Sequence, residues 1–172
     1  MKIQLNGHDE KYAVEQSLLA LFPEERPVYG AVEPAADARW MIVSLREEEE
    51  DGRQRCHVTT ELGWDGQCGS YTMGMPLTGT EYEKEGLRRR CIGLSIFRAA
   101  QTGLGIAPPW GSLTGVRPGK IAARSLERCA ANGRPDHLAK KETMSLMTNF
   151  YSVTPARARL AVESAKAGLK AK

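Results

Sequence analysis

The sequence predicts an α+β fold: a small mixed or antiparallel sheet with two packing helices, in the order β-α-β-β-α, followed by a bundle of short helices. Strand-like and helix-like segments alternate over the first hundred of the 172 residues. Glycine and proline then interrupt the chain near residues 103–110, and helical patterns separated by turn signals follow. We therefore expect an acidic α+β subdomain over residues 1–105 and a basic helical subdomain over residues 106–172.

The first half of the chain supplies the predicted sheet and its first helix. Residues 1–7 alternate as a short strand, and a helix follows that Pro23 stops. Residues 27–34 are expected to form a turn or a short edge strand, and residues 38–64 a hairpin of two strands around an acidic turn at Glu47–Gly52. The apolar residues expected on one face of the helix are Tyr12, Val14, Leu18, Leu19 and Leu21.

A glycine-rich stretch and a long helix complete this half. Residues 65–79 contain four glycines, so we expect a loop with at most one irregular strand. Residues 81–102 are expected to form a helix that Gly103 and Gly105 end. Its two adjacent apolar stripes are Leu87, Cys91 and Leu94, beside Ile92, Ile96 and Ala99.

Three short helices are predicted after this interruption. The first covers roughly 118–131 and ends at the C-cap signal Asn132–Gly133. The second covers roughly 135–149 and begins at Pro135. The third begins at Thr154–Pro155, an N-cap residue followed by a first-turn proline.

Charge is divided unevenly along the chain. Residues 1–85 hold 8 Lys and Arg against 17 Asp and Glu, a net charge of −9, whereas residues 86–172 hold 16 against 4, a net charge of +12. This asymmetry predicts an acidic lobe beside a basic one. A basic lobe can bind nucleic acid, an anionic ligand or an acidic protein surface.

Composition disfavours several classes of protein. No apolar run approaches the roughly 18–20 residues of a membrane span, and the N-terminus lacks the apolar core of a signal peptide, so we expect a cytoplasmic protein. No Ser/His/Asp, Cys/His or paired-carboxylate arrangement has a meaningful spacing, so we expect no catalytic residue. We also expect no metal site and four free thiols, because Cys56, Cys68, Cys91 and Cys129 form no CxxC pair and have no histidine at ligand spacing. His57 follows Cys56, but neighbouring residues of a strand point to opposite faces.

The stretch PPWGSLTGVRPGKIA, residues 108–122, has the most unusual composition in the chain. It is not a P-loop, because Thr114 stands where that motif needs glycine and Ile121 replaces the hydroxyl that binds Mg²⁺. Its prolines, tryptophan and glycines fit a structural corner, in which Ser112 or Thr114 caps the next helix. The residues of this corner and of its expected docking surface are Pro109, Trp110, Gly111, Thr114, Gly115, Arg117, Pro118 and Lys120.

A corner alone does not explain the cations that follow it. The helix macrodipole opposes Arg117 and Lys120 by several tenths of a kcal/mol each, and Arg124 lies one turn further along. We therefore predict that this end of the helix docks an acidic surface or an anionic group. Further candidates for anion binding, on the long helix, are Arg88, Arg89 and Arg98, although a solvated face neutralised by the acidic half is the favoured interpretation of this helix.

The segment PWGSLTGVRPGKI resembles the PWGxLTGxRPxKI signature that precedes the catalytic barrel of a family of radical SAM proteins, the HemZ-type oxygen-independent coproporphyrinogen III oxidases. FYSVTPARARLAVESA, residues 150–165, is similar to the segment that follows this signature in the family. The order of elements upstream is similar too. Gly119 departs from the family pattern, in which threonine is more usual, and this departure loosens the predicted start of the helix.

This resemblance implies an accessory domain. In the family, a downstream barrel holds a [4Fe–4S] cluster on CxxxCxxC cysteines and cleaves S-adenosylmethionine, and the radical formed attacks a propionate side chain of coproporphyrinogen III. The chain ends at Lys172 before any such cysteines, so no catalytic residue is carried over. We expect both cofactors only in that barrel, which would be the partner of this chain, with a tetrapyrrole substrate as a further candidate partner.

Two other classes of function stay open. The basic helices and tight turns superficially suit a helix-turn-helix module that binds nucleic acid, although no helix shows a clear face of Arg, Lys, Asn and Gln for reading bases. The third alternative is a small independent enzyme. The acidic residues Asp37, Glu61 and Asp65 argue against it, because they are isolated in predicted turns and strands.

Overall fold

The computed structural model describes residues 1–113 and 116–170 and confirms the α+β class. The chain divides into two compact units, Met1–Ile106 and Ala107–Lys172. The first unit contains β1 (Lys2–Asn6), α1 (Lys11–Leu21), β2 (Val28–Tyr29), β3 (Arg39–Glu50), β4 (Arg53–Trp64), β5 (Gln67–Pro76) and α2 (Glu81–Leu104). The second contains α3 (Pro118–Ala131), α4 (Asp136–Ser145), a π-helical turn (Leu146–Phe150) and α5 (Pro155–Lys170).

The sheet of the first unit is mixed, with the strand order β2-β1-β3-β4-β5. β1 lies parallel to both β2 and β3, whereas β3, β4 and β5 run antiparallel. Helix α1 connects the parallel pair β1 and β2, as a crossover between parallel strands requires. The predicted edge strand is β2, which is only two residues long.

The acidic run belongs to β3 except for its last residue, Asp51, which corrects the prediction of a turn over Glu47–Gly52. β3 continues through Glu50, and only Asp51 and Gly52 form the turn. Both residues have positive φ, 52° and 70°, which suits a tight hairpin connection. The acidic side chains can continue the strand because their partners on β4 include arginine, with Glu48 opposite Arg55 and Glu50 opposite Arg53.

The expected loop at residues 65–79 is in fact a regular strand, β5, paired with β4 along its length. Its glycines meet a packing requirement, because a side chain at Gly69 would overlap the backbone of α2 at Ala99 and Gly103. Gly103 likewise lies inside α2, against Gly69, and does not end the helix as predicted. The αL residue that ends the helix is Gly105, with φ 68°.

Helix α2 crosses β4 and β5 and supplies much of the core of the first unit. It begins with a capping box, in which Thr80 Oγ1 accepts from the Glu83 amide at 3.4 Å and Glu83 Oε2 accepts from the Thr80 amide at 2.7 Å. Inside the core, the Thr60 and Ser95 hydroxyls form a hydrogen bond of 2.6 Å that satisfies two buried polar groups. The helix residues buried there include Cys91, Ile92, Leu94, Ile96 and Ala99, as predicted, whereas Leu87 is half-buried.

Helix α1 buries a narrower stripe than predicted. Val14, Leu18 and Leu21 are buried at the spacing i, i+4, i+7. Tyr12 and Leu19 are 68% and 60% exposed, because at 100° per residue they lie on the opposite side of the helix.

The second unit is a bundle of α3, α4 and α5. Its core is built from small residues and a few larger ones, and one buried hydrogen bond of 3.0 Å joins the Thr143 hydroxyl on α4 to Ser125 on α3. Pro135 precedes α4 as its N-cap residue and is not its first helical residue as predicted. The buried side chains include Ala122, Leu126, Cys129, Ala139, Met147, Val153, Ala158 and Val162. None of the helices within residues 1–113 and 116–170 is both long and apolar enough to cross a membrane.

Candidate functional site

The unusual stretch at residues 108–113 closes a corner against the segment that leads into α5. The Ser112 amide and hydroxyl both donate to the carbonyl oxygen of Tyr151, at 2.8 and 3.1 Å. The Thr154 amide and hydroxyl both donate to the carbonyl oxygen of Pro109, at 3.1 and 3.2 Å. These four hydrogen bonds fix two stretches of chain that are about forty residues apart in sequence.

Gly111 sits where the two stretches come closest. Its φ is +58°, a backbone conformation that L side chains rarely adopt. A Cβ atom there would overlap the carbonyl oxygen of Tyr151 and the backbone of Ser152. Glycine is therefore required at this position for two reasons: its backbone angle and the lack of space for a Cβ atom. Ser152 itself has a positive φ of 54° and a buried hydroxyl without a hydrogen-bond partner.

Trp110 covers the start of α5 from the same corner. The guanidinium carbon of Arg157 lies 5.4 Å from the centre of its indole ring, within the range of a cation–π contact. The ring is half-buried, while Pro109 beside it is exposed. The corner residues Pro109, Trp110 and Gly111 thus act within the second unit, in agreement with a structural role.

Helix α3 starts without a side-chain cap. Arg117 is its N-cap residue and makes no capping hydrogen bond, and Pro118 occupies the first helical position as predicted. Ser112 does not cap this helix. It lies five residues before Arg117, and its hydroxyl donates to the carbonyl oxygen of Tyr151. Thr114 and Gly115 lie outside the described residues.

Four cations line the outer face of α3, and we refer to Arg117, Lys120, Arg124 and Arg128 as the α3 ridge. All four side chains are exposed, and they lie within an arc of about 80° at 100° per residue. Ala122, Ser125, Leu126 and Cys129 define the buried face on the other side. Arg128 was missed by the sequence prediction, although its spacing of four residues from Arg124 places it on the same face.

Within the described residues of the second unit, 107–113 and 116–170, no carboxylate forms an ion pair with the α3 ridge. Other cations of the second unit do have such partners: Arg134 pairs with Glu142 at 2.9 Å and Lys166 with Asp136 at 2.6 Å. The ridge is thus a set of positive charges that the described residues of its own unit leave without an ion pair.

The arginines of α2 are in a different situation. Arg88 contacts Glu47 at 2.6 Å and Glu81 at 2.7 Å, and these two carboxylates raise the pKa of its guanidinium. Arg89 likewise pairs with Glu10 at 2.9 Å and Glu85 at 2.7 Å. Both arginines are neutralised by the acidic unit in which they lie.

Arg98, the third candidate on α2, donates to the side-chain oxygen of Gln101 at 3.1 Å. It lies about two and a half turns beyond Arg89 along the helix and is half-buried. The structure therefore separates the predicted anion-binding residues into two groups. One group is held in contacts on α2, and the other is the exposed α3 ridge.

The cysteines do not form a common site. Cys56 and Cys91 are buried against each other between β4 and α2, and their hydrogen bond, together with burial, raises the pKa of the Cys91 thiol. Cys68 is exposed on β5, and Cys129 is buried in the second unit. All four are free thiols, as predicted.

One set of side chains in the described ranges could offer three ligand atoms to a metal ion: Glu48, Glu50 and His57, whose donor atoms lie within 4.8 Å of one another. Both carboxylates already pair with arginine, Glu48 with Arg46 at 3.0 Å and Glu50 with Arg55 at 3.1 Å. A bound cation would have to compete with both guanidinium groups. The cluster is therefore better described as surface ion pairing on the β3–β4 hairpin.

Comparison with known proteins identifies one informative relative. No model of a protein family matches the chain, and no solved structure matches it. The oxygen-independent coproporphyrinogen-III oxidase-like protein HemZ of Bacillus subtilis (strain 168) is 29% identical over 156 residues, which cover 86% of this chain and 30% of the relative. The chain thus spans less than a third of that relative's length. At this low identity, the chain is similar to part of a protein of the coproporphyrinogen oxidase-like type.

Proposed function

We propose that this chain is a non-catalytic accessory region of a HemZ-like coproporphyrinogen III oxidase, active in the cytoplasm in porphyrin and haem biosynthesis. Its role is to dock on a catalytic domain and to shape access to the reaction site. The observation that carries the proposal is the similarity to 30% of the Bacillus subtilis relative, together with the PWGSLTGVRPGKI signature. The exposed α3 ridge supplies a charged surface suited to docking.

The residues of this chain do not fit the cofactors of the proposed reaction. A [4Fe–4S] cluster needs several thiolates that converge on one point. Here Cys56 and Cys91 are buried in the core of the first unit, Cys68 lies on its surface strand, and Cys129 belongs to the second unit. We therefore assign the cluster, S-adenosylmethionine and every chemical step to a separate catalytic domain.

Direct recognition of the substrate is not assigned to α2. Coproporphyrinogen III carries four carboxylates, for which Arg88 and Arg89 would be natural partners. Both arginines already bind two carboxylates each within the first unit. Binding a tetrapyrrole there would break these contacts, so docking is the role that the geometry supports best.

The experiment uses the Bacillus subtilis relative as the catalytic background. Its matched region of 156 residues is deleted in one variant and replaced by this chain in a second. Anaerobic oxidation of coproporphyrinogen III is then measured for both purified variants and for the intact relative. We expect deletion to abolish most of the activity and replacement to restore part of it. Full activity of the deletion variant, or turnover by this chain alone, would contradict the accessory role.

A further inference from the structure

The α3 ridge is unfavourable for the helix that carries it. Arg117 and Lys120 lie at the N-terminal end, where the partial positive charge of the helix dipole opposes them. Lys120, Arg124 and Arg128 follow one another at spacings of four residues, at which like charges repel. The only acidic residue of α3, Glu127, lies beside the ridge at its far end. Arg128 lies in the last turn, where the dipole favours a cation, but local helix stability does not account for Arg117, Lys120 and Arg124.

Packing does not account for them either. All four side chains are exposed, whereas the buried face of α3 consists of small and apolar residues. The ridge has no ion pair within the described residues of the second unit, although the same unit pairs Arg134 and Lys166 with carboxylates. Residues that break a local rule without an internal gain are expected where a molecule contacts a partner.

We infer that the α3 ridge is a docking surface for an acidic protein surface, formed by carboxylate side chains of the catalytic domain. This inference rests on the proposed function and names the contact through which it operates. The second unit holds 12 Lys and Arg against 4 Asp and Glu, a net charge of +8, so its charge is complementary to such a surface. The relative is more than three times as long as the region matched here, which leaves ample chain for a partner domain.

The shape of the ridge selects among anionic partners. From Arg117 to Arg128 it extends about 16 Å along the helix axis in one line, at 1.5 Å per residue. Four carboxylates around a tetrapyrrole ring do not form such a line. Glutamates along one face of a helix do, at the same spacings of three and four residues.

Two features favour a protein surface over nucleic acid. Val116, 45% exposed and adjacent to Arg117, adds an apolar contact at one end of the ridge. Helix α3 contains no aromatic residue with which to stack on bases and no Asn or Gln with which to read adenine.

The test uses the complete chain and fluorescein-labelled poly-L-glutamate of about 50 residues as the probe, with fluorescence anisotropy at 50 mM NaCl and pH 7. We expect the double variant Lys120→Glu/Arg124→Glu to bind this probe about tenfold more weakly than the unchanged chain. The matched control is Lys141→Glu/Arg159→Glu, which makes the same change in charge at two exposed positions of the second unit. We expect its affinity to stay within about twofold of the unchanged chain, and circular dichroism to show that both variants are folded.

Two results would overturn the inference. The first is an equal affinity of the ridge variant and the control for polyglutamate, which would make binding a matter of net charge alone. The second is a ridge-dependent affinity for a single-stranded RNA of 20 nucleotides, or for coproporphyrin III, without one for polyglutamate. The deletion and replacement experiment can be distinguished from this one. If the replacement restores activity but binding of polyglutamate does not depend on the ridge, only the docking surface is rejected. If the replacement fails but binding depends on the ridge, only the accessory role is rejected.

Discussion

A single glycine shows how strongly the corner constrains its sequence. Gly111 combines a φ of +58° with a backbone contact that leaves no room for a Cβ atom. We expect Gly111→Ala to lower the free energy of unfolding of the second unit by at least about 2 kcal/mol, because it adds overlap with Tyr151 to the conformational strain of alanine. Urea unfolding followed by circular dichroism measures this loss.

Gly133 provides the matched control at the same scale. Its φ is +68°, close to that of Gly111, but nothing lies within 4 Å of the position of its Cβ atom. Gly133→Ala should therefore cost only the conformational part, about 1 kcal/mol. Equal losses for the two substitutions would mean that the contact between Gly111 and the Tyr151–Ser152 backbone contributes nothing to stability.

At the scale of the element, α3 is a helix whose first turn is weakened. Gly119 lies in this turn with open space around its Cβ position and without positive φ. Gly119→Ala should raise the free energy of unfolding by about 0.5–1 kcal/mol, because alanine loses less conformational freedom on entering a helix.

A substitution at Gly168 tests whether the expected increase in the free energy of unfolding is specific to the first turn of α3. Gly168 is likewise helical and open, but it lies in the last turn of α5, where helices fray. Gly168→Ala should therefore stabilise the chain less than Gly119→Ala in the same urea titration. A destabilising Gly119→Ala would indicate that the first turn of α3 is not helical in solution.

The elements also show what a sequence can and cannot predict. The hairpin of β3 and β4 was predicted because β-branched and aromatic residues alternate along it, which is a local property. Strand β5 was missed because Gly69 is required by the close approach of the α2 backbone. This contact joins residues far apart in sequence, so no local pattern reveals it. A glycine in such a segment indicates either a turn or the close approach of another backbone, and the high glycine content favoured the turn.

The candidate site likewise contains residues that the local sequence indicates and contacts that it does not reveal. Arg117, Lys120 and Arg124 were singled out because they are cations near the predicted start of a helix, where the macrodipole opposes positive charge. The hydrogen bonds between Ser112 and Tyr151 were not, since they join loops that are 39 residues apart. The sequence also favoured neutralisation of the α2 arginines by the acidic half, but it could not identify Glu10, 79 residues away, as the partner of Arg89.

At the scale of the whole molecule, the two units differ in how acid should affect them. In the first unit, hydrogen bonds from the N-terminal ammonium and Arg39 lower the pKa of Glu25, and Arg39 lowers that of Asp65. In the second unit, Lys166 lowers the pKa of Asp136. A carboxyl group whose pKa is lower in the folded state stabilises the fold above its unfolded pKa of about 4, and this stabilisation is lost as the pH falls through the folded pKa. The carboxyl groups of the first unit with a lowered pKa are Glu25, Asp37, Asp65, Glu81 and Glu83.

His8 adds a step at higher pH, again in the first unit. Burial lowers the pKa of its imidazole below 6.5. The ring accepts from the Glu10 amide at Nδ1, 3.2 Å away, so the proton of the neutral ring lies on Nε2 and is donated to the Val43 carbonyl oxygen at 3.2 Å. Protonation would place a second donor against the Glu10 amide. The stabilising contribution of His8 is therefore present above pH 6.5 and is lost as the pH falls.

These directions predict that the first unit loses stability between pH 7 and 5 through His8, and further below pH 5 through its carboxyl groups. Tryptophan fluorescence of a Trp110→Phe variant reports on this unit alone, since the remaining tryptophans, Trp40 and Trp64, both lie in it. The urea midpoint should fall in both pH ranges. His8→Asn, whose amide oxygen can still accept from the amide two residues on, should remove the fall between pH 7 and 5 and leave the one below pH 5. A fall that persists unchanged in His8→Asn would show that some other group of the first unit titrates there, because an asparagine has no proton to gain.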